Sequence, residues 1–129
     1  MPDAAIISIV DDDKSVRDAT WSLIRSLGHS AATFASAEEF LESGSLRETA
    51  CLIVDVQMPG MSGIDLQNHL IANGACPPMI FVTAFPNDQV QERALGAGAV
   101  GFLTKPFSED GLVACLERAL AHRRCSNVN

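Results

Sequence analysis

Five short β-type runs recur along the chain: Ile6–Val10, Ser30–Phe34, Cys51–Asp55, Met79–Thr83 and Val100–Leu103. Their length, and their mostly unbroken apolar character, predict strands covered on both faces. The segments between them follow a longer period. Ser15–Leu27 sets Val16, Thr20, Leu23, Ile24 and Leu27 three and four residues apart, the repeat of one buried helical stripe, and Gly28 stops it. A second helix opens at Ser36-Ala-Glu-Glu39, a capping box in which serine and glutamate each satisfy a backbone N–H, and turns Phe40 and Leu41 inward. Ser62 predicts the N-cap of a third helix carrying Ile64, Leu66, Leu70 and Ile71. Asn87 or Asp88 caps a fourth through Val90, Ala94 and Leu95. The last, from about Ser108 to His122, repeats Leu112, Leu116, Ala119 and Leu120 at helical spacing.

Strand and helix in alternation predict βαβ units with right-handed crossovers. The fold class is therefore α/β: a single doubly wound, five-stranded parallel sheet with five helices. No linker or repeat interrupts it, so residues 1–129 read as one domain, with a core over about 6–122 and a tail over 123–129.

Composition narrows the partners. A formal net charge of -7 disfavours direct nucleic-acid binding, which needs a basic face. The one basic cluster, His122-Arg-Arg124, fits a helix C-terminus, where cations meet the negative end of the dipole. No apolar run approaches the ~20 residues of a membrane span, and Met1–Ala5 has no basic residue ahead of a signal core, so the expectation is a cytoplasmic protein without a membrane partner. Cys51, Cys76, Cys115 and Cys125 lack C-x-x-C spacing and read as reduced thiols.

The chemistry gathers at strand ends. In an open parallel sheet, ligands bind beyond the carboxyl ends of the strands. Asp11, Asp12 and Asp13 follow the first strand, Asp55 ends the third, Thr83 ends the fourth and Lys105 follows the fifth, so all six converge on one edge. Carboxylates about 4 Å apart repel by roughly 4 kcal/mol at a protein surface, so something cationic must balance the acidic triplet. Mg²⁺ suits hard oxygen ligands of this number, with Mn²⁺ as an acceptable substitute. Asp55 is the natural acceptor of a phosphoryl group, whose oxygens Lys105 and the Thr83 hydroxyl would hold. Alone, a lysine is usually a solvated surface residue and a threonine a strand former; joint placement gives them a role.

Val10-Asp-Asp-Asp13, Ile53-Val-Asp-Val-Gln-Met-Pro-Gly-Met-Ser-Gly63, Val82-Thr-Ala84 and Phe102-Leu-Thr-Lys-Pro-Phe107 occur in order, and with them the chain from about Ile6 to Leu120 resembles the receiver domain of two-component response regulators. Ser36-Ala-Glu-Glu-Phe-Leu41 and Gly96-Ala-Gly-Ala-Val-Gly-Phe102 are most similar to its FixJ-type branch. The resemblance implies a flavodoxin-like strand order 2-1-3-4-5. It implies Asp55 as phosphoacceptor, supplied by a sensor histidine kinase or a phosphotransfer protein. It implies Mg²⁺ on Asp12 directly, on Asp11 through water, on Asp55 and on the Gln57 backbone carbonyl, with Asp13 left to cap the first helix. Thr83 and Phe102 become the switch pair, acting on a surface of the fourth helix, fifth strand and fifth helix where a phosphorylation-dependent homodimer would form. Gln57 and Phe85 stand where the lifetime of an acyl phosphate is set.

FixJ-type regulators usually continue into a DNA-binding domain, whereas this chain stops soon after its fifth helix, as a single-domain regulator or an excised receiver would. Such a module modifies itself and turns over no external substrate, so it is not an enzyme in the ordinary sense. Three other readings stand against it. A hydrolase of the haloacid-dehalogenase type needs an acid/base aspartate where Gln57 stands, and glutamine exchanges no proton at neutral pH. A flavin or nucleotide carrier needs a Gly/Ser/Thr-rich phosphate loop where the triplet stands. A pseudo-receiver that binds partners without phosphorylation is the alternative function.

Overall fold

The structure, a computed structural model, describes residues 6–127, with 122–127 described as backbone only. Its elements follow in the order β1 (Ile6–Val10), α1 (Lys14–Ser26), β2 (Ser30–Phe34), α2 (Ala37–Ser43), a 3-10 turn (Ser45–Glu48), β3 (Thr49–Asp55), α3 (Gly63–Ala72), β4 (Met79–Thr83), α4 (Asp88–Gly96), β5 (Gly101–Thr104) and α5 (Glu109–Asn127). All neighbouring strands pair in parallel, in the order β2-β1-β3-β4-β5. This is the five-stranded doubly wound sheet that the alternating pattern predicts.

The caps explain where the helices begin. Asp13 accepts the N–H groups of Ser15 and Val16 at the start of α1, and Asn87, not Asp88, does the same for Gln89 and Val90 at α4. Ser62 and Asp65 form a reciprocal capping box on α3. On α2 the box is altered: Ser36 accepts from the Glu39 N–H, but the Glu39 carboxylate reaches one residue further back, to the Ala35 N–H. α5 continues to Asn127 where the sequence suggests an end at His122 and a loose tail; the side chains of the basic cluster and of Cys125, like Met1–Ala5, lie outside the described residues.

Successive strand residues point to opposite faces and so build two cores. Along β3, Leu52 and Val54 join Phe34, Phe40, Leu66, Leu70 and Phe81 under α2, α3 and α4. Cys51 and Ile53 join Ile7, Ile9, Ile24, Ile80, Leu112 and Leu116 under α1 and α5. β3 is buried along its whole length, as a central strand covered on both faces must be. It starts two residues before the apolar run because Thr49 is satisfied inside: its hydroxyl donates to Ser45 O at 2.8 Å and accepts from Ser8 Oγ at 2.8 Å. The free cysteines include buried Cys51 and Cys115, and burial, then the neighbouring Cys115, pushes the Cys51 thiol up, which keeps it protonated.

Two predicted stripes, those of α3 and α4, are displaced. Ile71 and Leu95 lie toward solvent, while Gln67 is buried on α3 and its Nε2 donates to Ala94 O at the end of α4, 3.1 Å away. A buried amide is tolerable where it bonds to a backbone carbonyl, and here it ties two helices together.

β5 passes close under α5. A Cβ added at Gly101 would lie 2.5 Å from Cys115 Sγ and 3.1 Å from Cys115 Cβ. Gly101→Ala is therefore expected to lower stability by about 1–3 kcal/mol. Adding Cys115→Ala is expected to recover part of the loss, as read from urea denaturation of the single and double variants.

Candidate functional site

β1, β3 and β4 end at the same edge of the sheet, and the turns after them bring the polar residues together. Val10 pairs with Val54, and Asp55 with Val82, so Asp11 follows at the level of Asp55 and Thr83 lies one residue beyond it on β4. These three polar residues are buried, at 1%, 5% and 1% exposure. Burying two carboxylates side by side demands a compensating cation.

Lys105 supplies one. Its Nζ lies 3.0 Å from Asp11 Oδ2 and 3.2 Å from Asp55 Oδ2, with only 16% of the side chain exposed. The Lys105 backbone N–H donates to Thr83 O at 2.7 Å, which fixes the start of the β5–α5 turn against β4, and the Lys105–Pro106 bond is cis. The Nζ donates to Asp55, whereas Asp11 Oδ2, though in ion contact, has no aligned hydrogen bond. That leaves a buried carboxylate oxygen facing the group it shares with Asp55.

The carboxylates of Asp11, Asp12 and Asp55 each offer an oxygen within 4.8 Å of the others. Three oxygen donors at that spacing, two buried and one open to solvent, fit a small hard divalent ion that keeps part of its water shell. Asp13 does not join them, because its carboxylate is spent on the α1 cap. The convergence of six side chains is thus a convergence of five. Asp11 is held from behind: its Oδ1 accepts the Asp13 N–H at 2.9 Å, and Arg17 Nη1 donates to its carbonyl at 2.8 Å.

The electrostatics follow from burial. Desolvation, then the charge of Asp11, holds the Asp55 carboxyl above the usual aspartate range, against the opposing pull of the Gln57 N–H and Lys105. Burial would lower the Lys105 amine, but its close ion contact with Asp11, then that with Asp55, outweighs it and the amine titrates above its ordinary value.

Around this centre, the Gln57 N–H donates to Asp55 Oδ1 at 3.2 Å. The Thr83 hydroxyl accepts the Phe85 N–H at 3.0 Å and donates toward Gln57 Oε1 at 3.3 Å. The Gln57 side chain is a participant that the sequence does not signal, since its partner lies 26 residues away. Phe102 is half-buried, tilted against Phe81 with ring centroids 6.2 Å apart, so it is neither a fully enclosed core residue nor a free one. Phe85, two residues after Thr83, is 72% exposed. Trp21, whose face the sequence leaves open, is on the outside of α1 with the Arg25 guanidinium 5.9 Å from its ring.

A 2-1-3-4-5 sheet with paired acids, a further aspartate, a hydroxyl and a lysine at its carboxyl edge has the arrangement of a receiver-type signalling module. Residues 7–117 match the response regulator receiver domain family. The chain belongs to that family. It is 43% identical over 117 residues to the response regulator protein TodT of Pseudomonas putida, covering 91% of this chain and 52% of that protein. It is 33% identical over 120 residues to the transcriptional regulatory protein FixJ of Azorhizobium caulinodans, covering 93% of this chain and 57% of that one. The solved response regulator StyR superposes with a TM-score of 0.87 at 41% identity, covering 96% of this chain and 64% of StyR. The chain spans about half the length of the curated relatives it matches. Among the described residues no helix is long and apolar enough to cross a membrane.

Proposed function

We propose that this receiver accepts a phosphoryl group on Asp55 from a phosphohistidine of a sensor kinase or phosphotransfer protein and changes its binding surface in response. The P–N bond to the donor imidazole breaks as a P–O bond to the Asp55 carboxylate forms. The observation that carries this reading is one ammonium within 3.2 Å of both Asp11 and Asp55, beside an open third carboxylate. Asp11, Asp12, Asp55 and the Gln57 backbone carbonyl would hold Mg²⁺, which when bound neutralises charge as the phosphate oxygens approach. Lys105 then donates to a phosphoryl oxygen in place of a carboxylate.

Thr83 has one hydroxyl proton and directs it at Gln57. Donating it to a phosphoryl oxygen means leaving Gln57, and that movement vacates the space beside β4 into which Phe102 turns. The changed face is that of α4, β5 and α5, where a second phosphorylated copy would dock. The module works in the cytoplasm, binds no nucleic acid through this domain and turns over no external substrate.

Incubation with acetyl phosphate and Mg²⁺ is expected to add one phosphoryl group, about +80 Da in intact mass. The increment disappears in Asp55→Asn and on chelation of the metal. A wild-type mass that stays unchanged replaces this reading with the pseudo-receiver.

A further inference from the structure

The loop from Val56 to Ser62, which leads from the acceptor carboxylate into α3, is held at three points. At its start the Gln57 N–H donates to Asp55 Oδ1. At its end the Gly63 N–H donates to Val56 O at 3.0 Å, next to the Ser62–Asp65 capping box. Its tip is held from elsewhere in the fold. Glu38, in the first turn of α2, accepts the Met61 N–H on Oε2 at 3.0 Å, across 23 residues.

A second feature agrees with this tether. Gly60, beside Met61, has φ 75°, and a Cβ there would lie 2.8 Å from the same Glu38 oxygen. The carboxylate thus fills space that only a glycine leaves open, in a backbone conformation that glycine adopts without strain. An acid in the first turn of a helix ordinarily serves its own dipole or cap. Here Glu39 takes the capping role, and Glu38 is free to reach the loop.

We propose that Glu38 is a positioning residue for Mg²⁺ binding: by pinning the tip of the loop, it holds the Gln57 main chain in one orientation toward Asp55 before the ion arrives. This rests on the reading of the Gln57 carbonyl as a ligand. Hydrogen bonds from N–H groups to a carboxylate are the stronger kind, and partners that orient a metal ligand commonly command ten- to a hundred-fold in affinity. Glu38 is exposed, so its share is smaller: roughly a three- to ten-fold weakening of Mg²⁺ binding when the acceptor is lost.

The test compares Glu38→Ala with Glu38→Gln in ¹⁵N-labelled protein, reading Mg²⁺ affinity by titration and the Met61 and Gln57 amides in metal-free samples. Glu38→Ala is expected to speed exchange at the Met61 amide, shift the Gln57 resonance and weaken Mg²⁺ binding. Glu38→Gln keeps a side-chain carbonyl and is expected to restore Met61 exchange and Mg²⁺ affinity to within about two-fold, and to return the Gln57 resonance, as retention of a single acceptor implies. Equal weakening in both variants with the Met61 amide undisturbed would mean that the charge acts through space, and overturns the tether. Wild-type affinity in Glu38→Ala overturns it as well. A wild-type protein that binds no Mg²⁺ sinks the parent reading itself, and the positioning role with it.

Discussion

Gly63→Ala is expected to lower the stability of the domain by about 3 kcal/mol or more, at or above the upper end for overpacking a tight site. A Cβ on Gly63 would sit 2.4 Å from the Asp55 carbonyl oxygen and 3.1 Å from Val56 Cα. Both are backbone atoms, so no side chain can swing aside; the start of α3 or the end of β3 must move. The damage falls at the candidate site, because Asp55 O and Val56 belong to the turn that aims the Asp55 carboxylate. Gly96→Ala is the control: nothing lies within 4 Å of the added Cβ and Gly96 closes a helix, so that variant should match or slightly exceed wild type. Urea denaturation separates the outcomes. A Gly63→Ala midpoint within error of wild type would show that the loop yields, and the rigid-turn account of Asp55 would fall.

The contrast between these two glycines shows what can be read from residue order and what cannot. β1, β2 and β4 have the limits that their β-type runs predict, because periodicity and turn residues are local signals. The acid cluster, Asp55, Thr83 and Lys105 were legible because a parallel sheet obliges strand ends to share an edge. Asp13 was not separable from Asp11 and Asp12 on that ground, since whether an aspartate caps or ligates depends on where the next helix starts. The early start of β3 was hidden because Thr49 relies on Ser8, 41 residues away. Gln67 and Ile71 exchange their expected places for a similar reason. A helical stripe predicts which residues are apolar together, but the packing of α3 against α4 decides which of them is covered. The contacts of Glu38 with Met61 and of Thr83 with Gln57 leave no pattern in the sequence at all.

Lys105→Met and Asp55→Asn are expected to move stability in opposite directions at pH 7. Lys105 answers two buried carboxylates, and removing one partner of such a group typically costs about 3 kcal/mol because the remaining charges are left unpaired. Its amine titrates above the ordinary 10.5, so the stability it confers is complete below that value and is lost only as pH rises through the folded pKa. Asp55 has the opposite sense. Its carboxyl titrates above the ordinary 3.8 because burial, and then Asp11, disfavour its charge; the folded state therefore holds this proton to higher pH than the unfolded chain does. Stability falls as pH rises from about 3.8 through the folded pKa, above which the full penalty is in force. Asp55→Asn removes the penalty and should stabilise the protein at pH 7, with the gain closing as the pH falls below 3.8. In a Lys105→Met background the gain should grow, since the carboxylate being removed has lost its cation. On the proposed function, Mg²⁺ would bind the same oxygens and should recover part of the Lys105→Met loss, by about 2.7 kcal/mol when the ion is at a hundred times its dissociation constant. Denaturation of the four proteins at pH 7 and pH 4, with and without the ion, measures all of these. Asp55→Asn less stable than wild type at pH 7 would mean that Lys105 and the Gln57 N–H more than offset the burial of that charge, and Lys105→Met equal to wild type would mean that the acids are not held together by this ammonium.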